Sequence, residues 1–422
     1  MNAHPSAALI AVGDELLSGA QADTNSAWLA RELAQHGVAV ETIEVAGDDE
    51  PLIAAAVQRA LERSELVLVG GGLGPTLDDV TRHGIARALA RELDESAEAL
   101  AEVSAWFDRR GVVMSDTNRR QALFPRDAHI LRNRAGTAPA FLVEHEGRVV
   151  VALPGPPREL SAVWREELLP WLEAHGWTRT PLAERRFYLF GIPESLFAER
   201  VGAWMARDAD PRMGCTVRDG TLTAALRARD ASRDSLAALE RRAGEFRARF
   251  AHETYSESEW ELEHVLAAEL LARGITISAA ESCTGGLAQE LLTRVPGISR
   301  VFRQGYVTYA DEAKQDLLGV PGELLRAHGA VSREVAEAMA RGAARASGSA
   351  LAFSITGVAG PEGGSATKPV GLVWLATVLD GVVQSSERRL PAVERDSIRR
   401  VAARTALFLC WKRVRDASAA RD

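Results

Sequence analysis

The feature that most constrains this chain recurs at both of its ends: a short, mainly apolar run, a glycine-bearing turn, then helical spacing. "ALIAV" (8–12) leads into "GDELLSG", "LVLV" (66–69) into "GGGLGPTLDD", and "RVVVAL" (148–153) into a Pro/Gly turn. "ITISA" (275–279) leads into "AESCTGG". Runs this short and this apolar suit strands covered on both faces, which in turn calls for helical crossovers. The expected fold class is α/β, with two doubly wound sheets and ligands at the strand C-terminal ends. At 422 residues the chain exceeds what one core organises. Three segments are expected. An α/β domain spans 1–172, a small α+β domain spans 178–252 around the Asp219-Gly220 hairpin signal, and a second α/β domain spans 258–422. The polar stretch "HETYSESEWE" (252–261) reads as a hinge or linker, and no internal repeat relates the first and third segments.

Charge and cysteine usage narrow the function. A net charge of −8 argues against a chain whose main task is gripping nucleic-acid backbone. Three scattered cysteines, Cys215, Cys283 and Cys410, give neither a disulfide framework nor a thiolate zinc site, and a reducing cytoplasm is the expected location. No secretory leader and no membrane span are read. Only Lys314, Lys368 and Lys412 are lysines among 50 basic residues. Arginine cannot act as a base, so the few lysines are candidates for positions that need an amine.

Two constellations carry chemistry. The glycine-rich loop with Gly71, Gly72, Gly74 and Thr76 lets a phosphate approach backbone amides. It lacks the GK[ST] ending of a Walker loop and closes instead on Asp78 and Asp79. With Asp14 and Glu15 at the end of another strand, four carboxylates can converge on one crevice, and beside phosphate they call for a divalent cation. The bland alternative is a helix cap and a chain turn. In the third segment, Ser282 is expected at a helix N-terminus beginning near Thr284, where exposed amides stabilise an oxyanion. Gly285 and Gly286 open the approach, and Glu281 lies beside them. Cys283 is the rival nucleophile and reads better as apolar filler; a plain N-cap is the alternative for Ser282. Tyr309 and Lys314 follow on the next strand and helix, and a desolvated lysine can deprotonate a serine. Thr356, Gly357, Gly360 and Lys368 form a second glycine-rich turn suited to a sugar-phosphate, with Arg395 and Arg399 on one face of the last helix.

"GDELLSGAQADTNSAWLARELAQHG", "LVGGGLGPTLDDVT", "DTNRRQALFPRDAHILRNRAGTAPAF" and "LPGPPRE" resemble the molybdopterin-binding-like (MoaB/MogA-like) domain at the front of the CinA, competence/damage-inducible, family. "AAESCTGG", "YVTYADEAK" and "SITGVAGPEGGSATKPVGLVW" resemble that family's nicotinamide-nucleotide amidase domain. The resemblance implies a bifunctional hydrolase. Its N-terminal site would cleave ADP-ribose to AMP and ribose 5-phosphate with a divalent metal held by Asp14, Glu15, Asp78 and Asp79. Its C-terminal site would need no cofactor: Ser282 as nucleophile, activated by Lys314 and assisted by Tyr309, would convert nicotinamide mononucleotide to nicotinate mononucleotide and ammonia. Glu281, Thr284, Gly285, Gly286, Thr356, Gly357, Gly360, Lys368 and Arg399 would bind that substrate. It also implies a homodimer and a KH-like middle domain, although the glycines at 191, 202, 214, 220 and 244 lack the GxxG spacing that clamps nucleic acid. Two departures stand out. Ala140 replaces a glycine, where a methyl narrows a pocket or tightens a turn. Ala310-Asp311 replaces Ser-Asn, placing a negative charge three residues before Lys314. The alternative of another class is a non-catalytic nucleotide- or pterin-binding adaptor in competence or DNA damage.

Overall fold

The computed structural model describes residues 5–391 and 394–419, which form two compact units, 1–181 and 182–422. The first unit carries β1 (Ser6–Val12), β2 (Ala39–Ala46), β3 (Leu66–Gly70), β4 (Leu93–Glu95), β5 (Leu123–Pro125), β6 (His129–Leu131), β7 (Ala140–His145) and β8 (Arg148–Leu153). Its main sheet has the order β2-β1-β3-β8-β7-β6. The first four strands pair in parallel, while the β8–β7 and β7–β6 pairs are antiparallel, so the sheet is mixed. Ala8, Ile10 and Val12 of β1 pack in one apolar cluster and Ala7 and Leu9 in another, which is why the run lacks polar alternation. From β1 the chain moves to β2 on one side and then crosses to β3 on the other. That reversal opens a crevice at the strand C-termini.

The second unit contains β9 (Glu184–Phe190), β10 (Arg212–Arg218), β11 (Thr221–Arg227) and β12 (Thr254–Ser256) in an antiparallel sheet of order β10-β11-β9-β12. It also contains β13 (Ile277–Glu281), β14 (Phe302–Val307), β15 (Leu351–Gly357), β16 (Leu372–Leu379) and β17 (Val382–Arg389), ordered β14-β13-β15-β16-β17. The stretch read as a hinge is part of the fold. β12 pairs with β9, and Tyr255 is buried with its hydroxyl donating to Trp260 O at 2.5 Å. The helix Glu194–Val201 is preceded by Pro193, which offers no side-chain cap. Three arginines of the helix Arg233–Arg249 are engaged by neighbouring side chains. Arg242 and Arg249 lie over Trp204, and Arg247 pairs with Glu257 at 2.7 Å.

In the second α/β sheet the first three strands pair in parallel, while the β15–β16 and β16–β17 pairs are antiparallel, so this sheet too is mixed. β13 is flanked by β14 and β15, the same side-to-side crossing as in the first unit. It begins and ends two residues later than the 275–279 run suggests, at Ile277 and Glu281. The last helix spans Arg395–Ala419, running on into what reads as a ragged tail; its expected start near Val393 lies outside the described residues. No helix among the described residues is long and apolar enough to cross a membrane.

Candidate functional site

In the second unit, Ser282 follows β13 directly, at the point where the chain leaves the sheet between β14 and β15. Ser282 lines a cavity of ≈ 200 Å³ together with Tyr309, Lys314, Thr356, Gly357 and Arg395. The expected helix start at Thr284 is not observed. Gly285 and Gly286 adopt positive φ, 63° and 98°, and the helix begins at Leu287. Its leading amides do not point freely at Ser282. Glu281, fully buried, accepts the amides of Gly286 (3.1 Å), Ala288 (3.2 Å) and Gln289 (2.8 Å). Glu281 is therefore the helix cap rather than a substrate contact. A carboxylate so placed balances both the orphan donors and the dipole of the helix. Thr284 is buried, with its hydroxyl lacking a partner among the described residues, and Gly285 and Gly286 shape the turn outside the cavity lining.

Lys314 sits on the helix Asp311–Leu318 and is 1% exposed. Its Nζ donates to Tyr309 O (3.2 Å), Ala310 O (3.4 Å) and Asp311 Oδ1 (3.3 Å), three acceptors for three ammonium protons. No Ser282–Lys314 hydrogen bond forms among the described residues; the two side chains meet at the shared cavity. The Asp311 carboxylate thus grips the amine directly. Tyr309 lies just past β14 and is exposed, and its hydroxyl accepts from Arg395 Nη2 at 3.0 Å. Cys283 lines the same cavity, but burial, with the charge of Glu281, pushes its thiol up to about 12. Thiolate chemistry is disfavoured there, and the filler reading of this residue fits.

The second glycine-rich turn divides into lining and support. Thr356 Oγ1 donates to Ala330 O (2.8 Å) and Lys368 Nζ to His328 O, so both pin the 328–331 loop whose Ala330 and Val331 wall the cavity. Lys368 is a loop anchor, and Gly360 contributes its carbonyl to Arg395 Nη1. Arg399 turns to Thr284 O (2.9 Å) and Asp396, leaving Arg395 as the one of the two arginines that lines the cavity. The i, i+4 spacing puts both arginines on one face; which of them reaches the cavity depends on the helix's rotation against the sheet.

In the first unit, a small cavity of ≈ 60 Å³ lies at the β1/β3 reversal, lined by Glu15, Gln21, Asn25, Gly71 and Gly155 among others. The glycine loop is cinched from the following helix. Thr81 Oγ1 donates to Gly71 O (2.8 Å), and Arg82, fully buried, donates to Leu73 O (2.9 Å). Burial pulls the Arg82 guanidinium down to about 10. Asp79 accepts the amide (2.8 Å) and hydroxyl (2.5 Å) of Thr76, and a side chain at Gly74 would collide with it. Asp79 and Thr76 therefore hold the loop. Asp78 is exposed.

Asp48, just past the end of β2, is a carboxylate that the sequence motifs did not single out. It and Asp14 clasp each other's backbone, Asp14 N to Asp48 Oδ2 at 2.9 Å and Asp48 N to Asp14 Oδ1 at 3.2 Å. Burial, and then the like charges of Asp14, Glu15 and Asp78, push the Asp48 carboxyl above its usual range, against the Asp14 amide that pulls it down. The donors have the hard-oxygen chemistry of a magnesium or manganese site. Yet among the described residues no three carboxylate, histidine or cysteine side chains group as a metal centre, so these side chains do not fit a bound ion as they stand. Ala140 lines neither site; it is wholly buried at the start of β7, so its methyl does not narrow a nucleotide pocket.

Comparison with known proteins agrees with both halves. Residues 8–174 match the family described as "Probable molybdopterin binding domain", and residues 259–414 match the "CinA C-terminal domain". A competence-damage inducible protein of Symbiobacterium thermophilum is 43% identical over 96% of this chain and 97% of its own. A CinA-like protein of Gemmatimonas aurantiaca is 40% identical over 94% of each. The solved competence/damage inducible protein from Agrobacterium tumefaciens is 47% identical over 35% of this chain and 91% of its own, with a TM-score of 0.35. The chain belongs to the CinA, competence-damage inducible, family.

Proposed function

We propose that this chain is a bifunctional hydrolase whose C-terminal site deamidates nicotinamide mononucleotide. The observation that carries the reading is that Ser282, Lys314, Tyr309 and Arg395 line one cavity at the end of a parallel strand pair. Ser282 Oγ attacks the carboxamide carbon and its proton passes to the Lys314 amine. Ammonia leaves with a proton returned from that amine, and water then attacks the acyl-serine to release the carboxylate. Arg395 offers the substrate phosphate a planar, permanently charged partner beside Tyr309. Lysine serves as base only as the free amine, so release from Asp311 precedes attack. Oxyanion stabilisation falls to the turn after Ser282, because Glu281 occupies the helix amides. The test is ammonia release from nicotinamide mononucleotide by the full chain and by Ser282→Ala, Lys314→Met and Cys283→Ala. Loss in the first two with retention in the third supports the reading; ammonia release that survives Ser282→Ala rejects it.

For the first unit the proposal is hydrolysis of ADP-ribose to AMP and ribose 5-phosphate with a divalent metal, which Asp14, Glu15, Asp48 and Asp78 would hold only on drawing closer together than they stand. What supports this is the gathering of these carboxylates beside a glycine loop at the strand reversal, where burial and the neighbouring charges raise the Asp48 carboxyl. Because they do not group as a metal centre, a nucleotide-binding, non-catalytic first unit is the second reading. Metal-dependent AMP release separates the two. A homodimer in a cytoplasmic setting completes the proposal, and sedimentation of the full chain tests the dimer.

A further inference from the structure

The segment Arg132–Pro139 is used by neither site. It walls a separate cavity of ≈ 250 Å³ in the first unit, facing the helix Ala97–Asp108 and Arg109 just beyond it. The segment is held in shape by its own asparagine. Asn133 Oδ1 accepts the amides of Ala135 (3.1 Å) and Gly136 (3.0 Å), while Nδ2 donates to Ala138 O (2.9 Å) and Glu159 (2.6 Å). A wall built this way is preformed, as ligand cavities usually are.

Trp106, Val103, Ala105 and Pro139 supply an aromatic and apolar surface. The charges around it are unevenly matched. Arg132 is engaged by Glu98 (3.4 Å) and Glu102 (3.0 Å), and Arg134 comes only within 3.9 Å of Glu166. Among the described residues Arg109 has no ion-pair partner, and Arg110 lies 3.7 Å over the Trp106 ring. The Trp106 indole N–H is shut from solvent and has no acceptor among the described residues, where a buried indole ordinarily finds one. The cavity is thus rich in donors and positive charge and short of free acceptors, with Trp106 in its lining. A heteroaromatic base carrying a phosphate supplies both missing elements.

We propose that this cavity binds a nucleoside monophosphate, its base against Trp106 and its phosphate on Arg109. The inference rests on the ADP-ribose reading only for adenine as the choice of base, and it requires neither hydrolysis nor metal.

The experiment is calorimetric titration of AMP into the full chain in the presence of a chelator, with adenosine and inorganic phosphate as separate arms. AMP is expected to bind more tightly than adenosine. Arg109→Ala should weaken AMP by about tenfold and leave adenosine unchanged, whereas Trp106→Ala should weaken both and Trp106→Phe, which keeps a ring but lacks the N–H, should restore them only in part. Unchanged melting of Arg109→Ala, an exposed position, shows that the fold is intact. No AMP binding by the wild type, or binding indifferent to both substitutions, overturns the proposal. So does AMP binding lost in Asp14→Ala but kept in Arg109→Ala, which places the nucleotide in the β1/β3 crevice. AMP release from ADP-ribose, measured separately with metal, reports on the hydrolase reading whichever way the titration falls.

Discussion

The β2-β1-β3 and β14-β13-β15 reversals are the same topological device, and they have been filled in opposite ways. At the first, carboxylates gather at the strand ends, and burial together with the charges of Asp14, Glu15 and Asp78 raises the cost of ionising Asp48. At the second, the one strand-end carboxylate, Glu281, is spent on helix amides, and a buried lysine faces the cavity instead. An acidic crevice attracts positive charge, whereas a serine sharing a cavity with a lysine suits the nucleophile and base roles proposed above. Placement at a strand reversal therefore says where a ligand goes; the sign of the local charge says what kind of chemistry can follow.

Substitutions can break or sharpen that contrast. Ser282→Ala should lower ammonia release from nicotinamide mononucleotide by on the order of 10³-fold or more, while Cys283→Ala stays within about threefold. Equal losses in the two variants would erase the assignment of the nucleophile. Asp78→Asn should lower AMP release from ADP-ribose about 10²-fold and leave ammonia release untouched, a split that keeps the two chemistries independent. Glu281→Gln removes charge-assisted capping from a buried site and should cost about 1–3 kcal/mol in chemical denaturation. A variant as stable as the wild type would mean that the cap is not holding the turn. Asp311→Asn keeps the side chain's size and frees Lys314 from a carboxylate; kcat/KM for the amide should rise about threefold at neutral pH. A fall instead would show that Asp311 positions the amine. The smallest effect is expected from Asp48→Asn. The carboxyl of Asp48 is raised in the folded state, so its contribution to stability is present below the ordinary carboxylate range and is lost as pH rises through its folded value. The variant should melt roughly 1–2 °C higher at pH 7 and no higher at pH 3.

Much of this was legible in residues. The apolar runs, the Asp219-Gly220 hairpin and the positions of Ser282 and Lys314 follow from local pattern, and the structure places each in the expected element or one beside it. The misses share a cause: they depend on what a side chain meets across the fold. Glu281 looks like a ligand contact until the amides of Gly286, Ala288 and Gln289 are seen around it. Lys368 reads equally as a phosphate contact or a loop anchor until its partner, the carbonyl of His328, decides for the anchor. Asp48 had a usable signal, since it follows a strand as Asp14 does, but the half-polar run "AVETIEVA" concealed that strand. The stretch "HETYSESEWE" reads as a linker because only Tyr255 and Trp260 interrupt its polar residues. Its order comes from pairing with β9 and from the burial of Tyr255, and pairing partners far along the chain leave no local trace.

The aromatic contact between the middle sheet and the last helix bears on how this protein can be dissected. Tyr188, Phe190 and Tyr255 share one apolar cluster with Phe408 and Trp411, and Arg400 reaches Asp219 at 3.0 Å at the hairpin tip. A fragment trimmed to begin at residue 258 would strip that cover away, leaving a greasy, ring-studded flank on the very helix whose first turn carries Arg395. Such a truncation should self-associate and misplace Arg395, so any catalytic comparison between halves of the chain belongs on a piece that starts near residue 182.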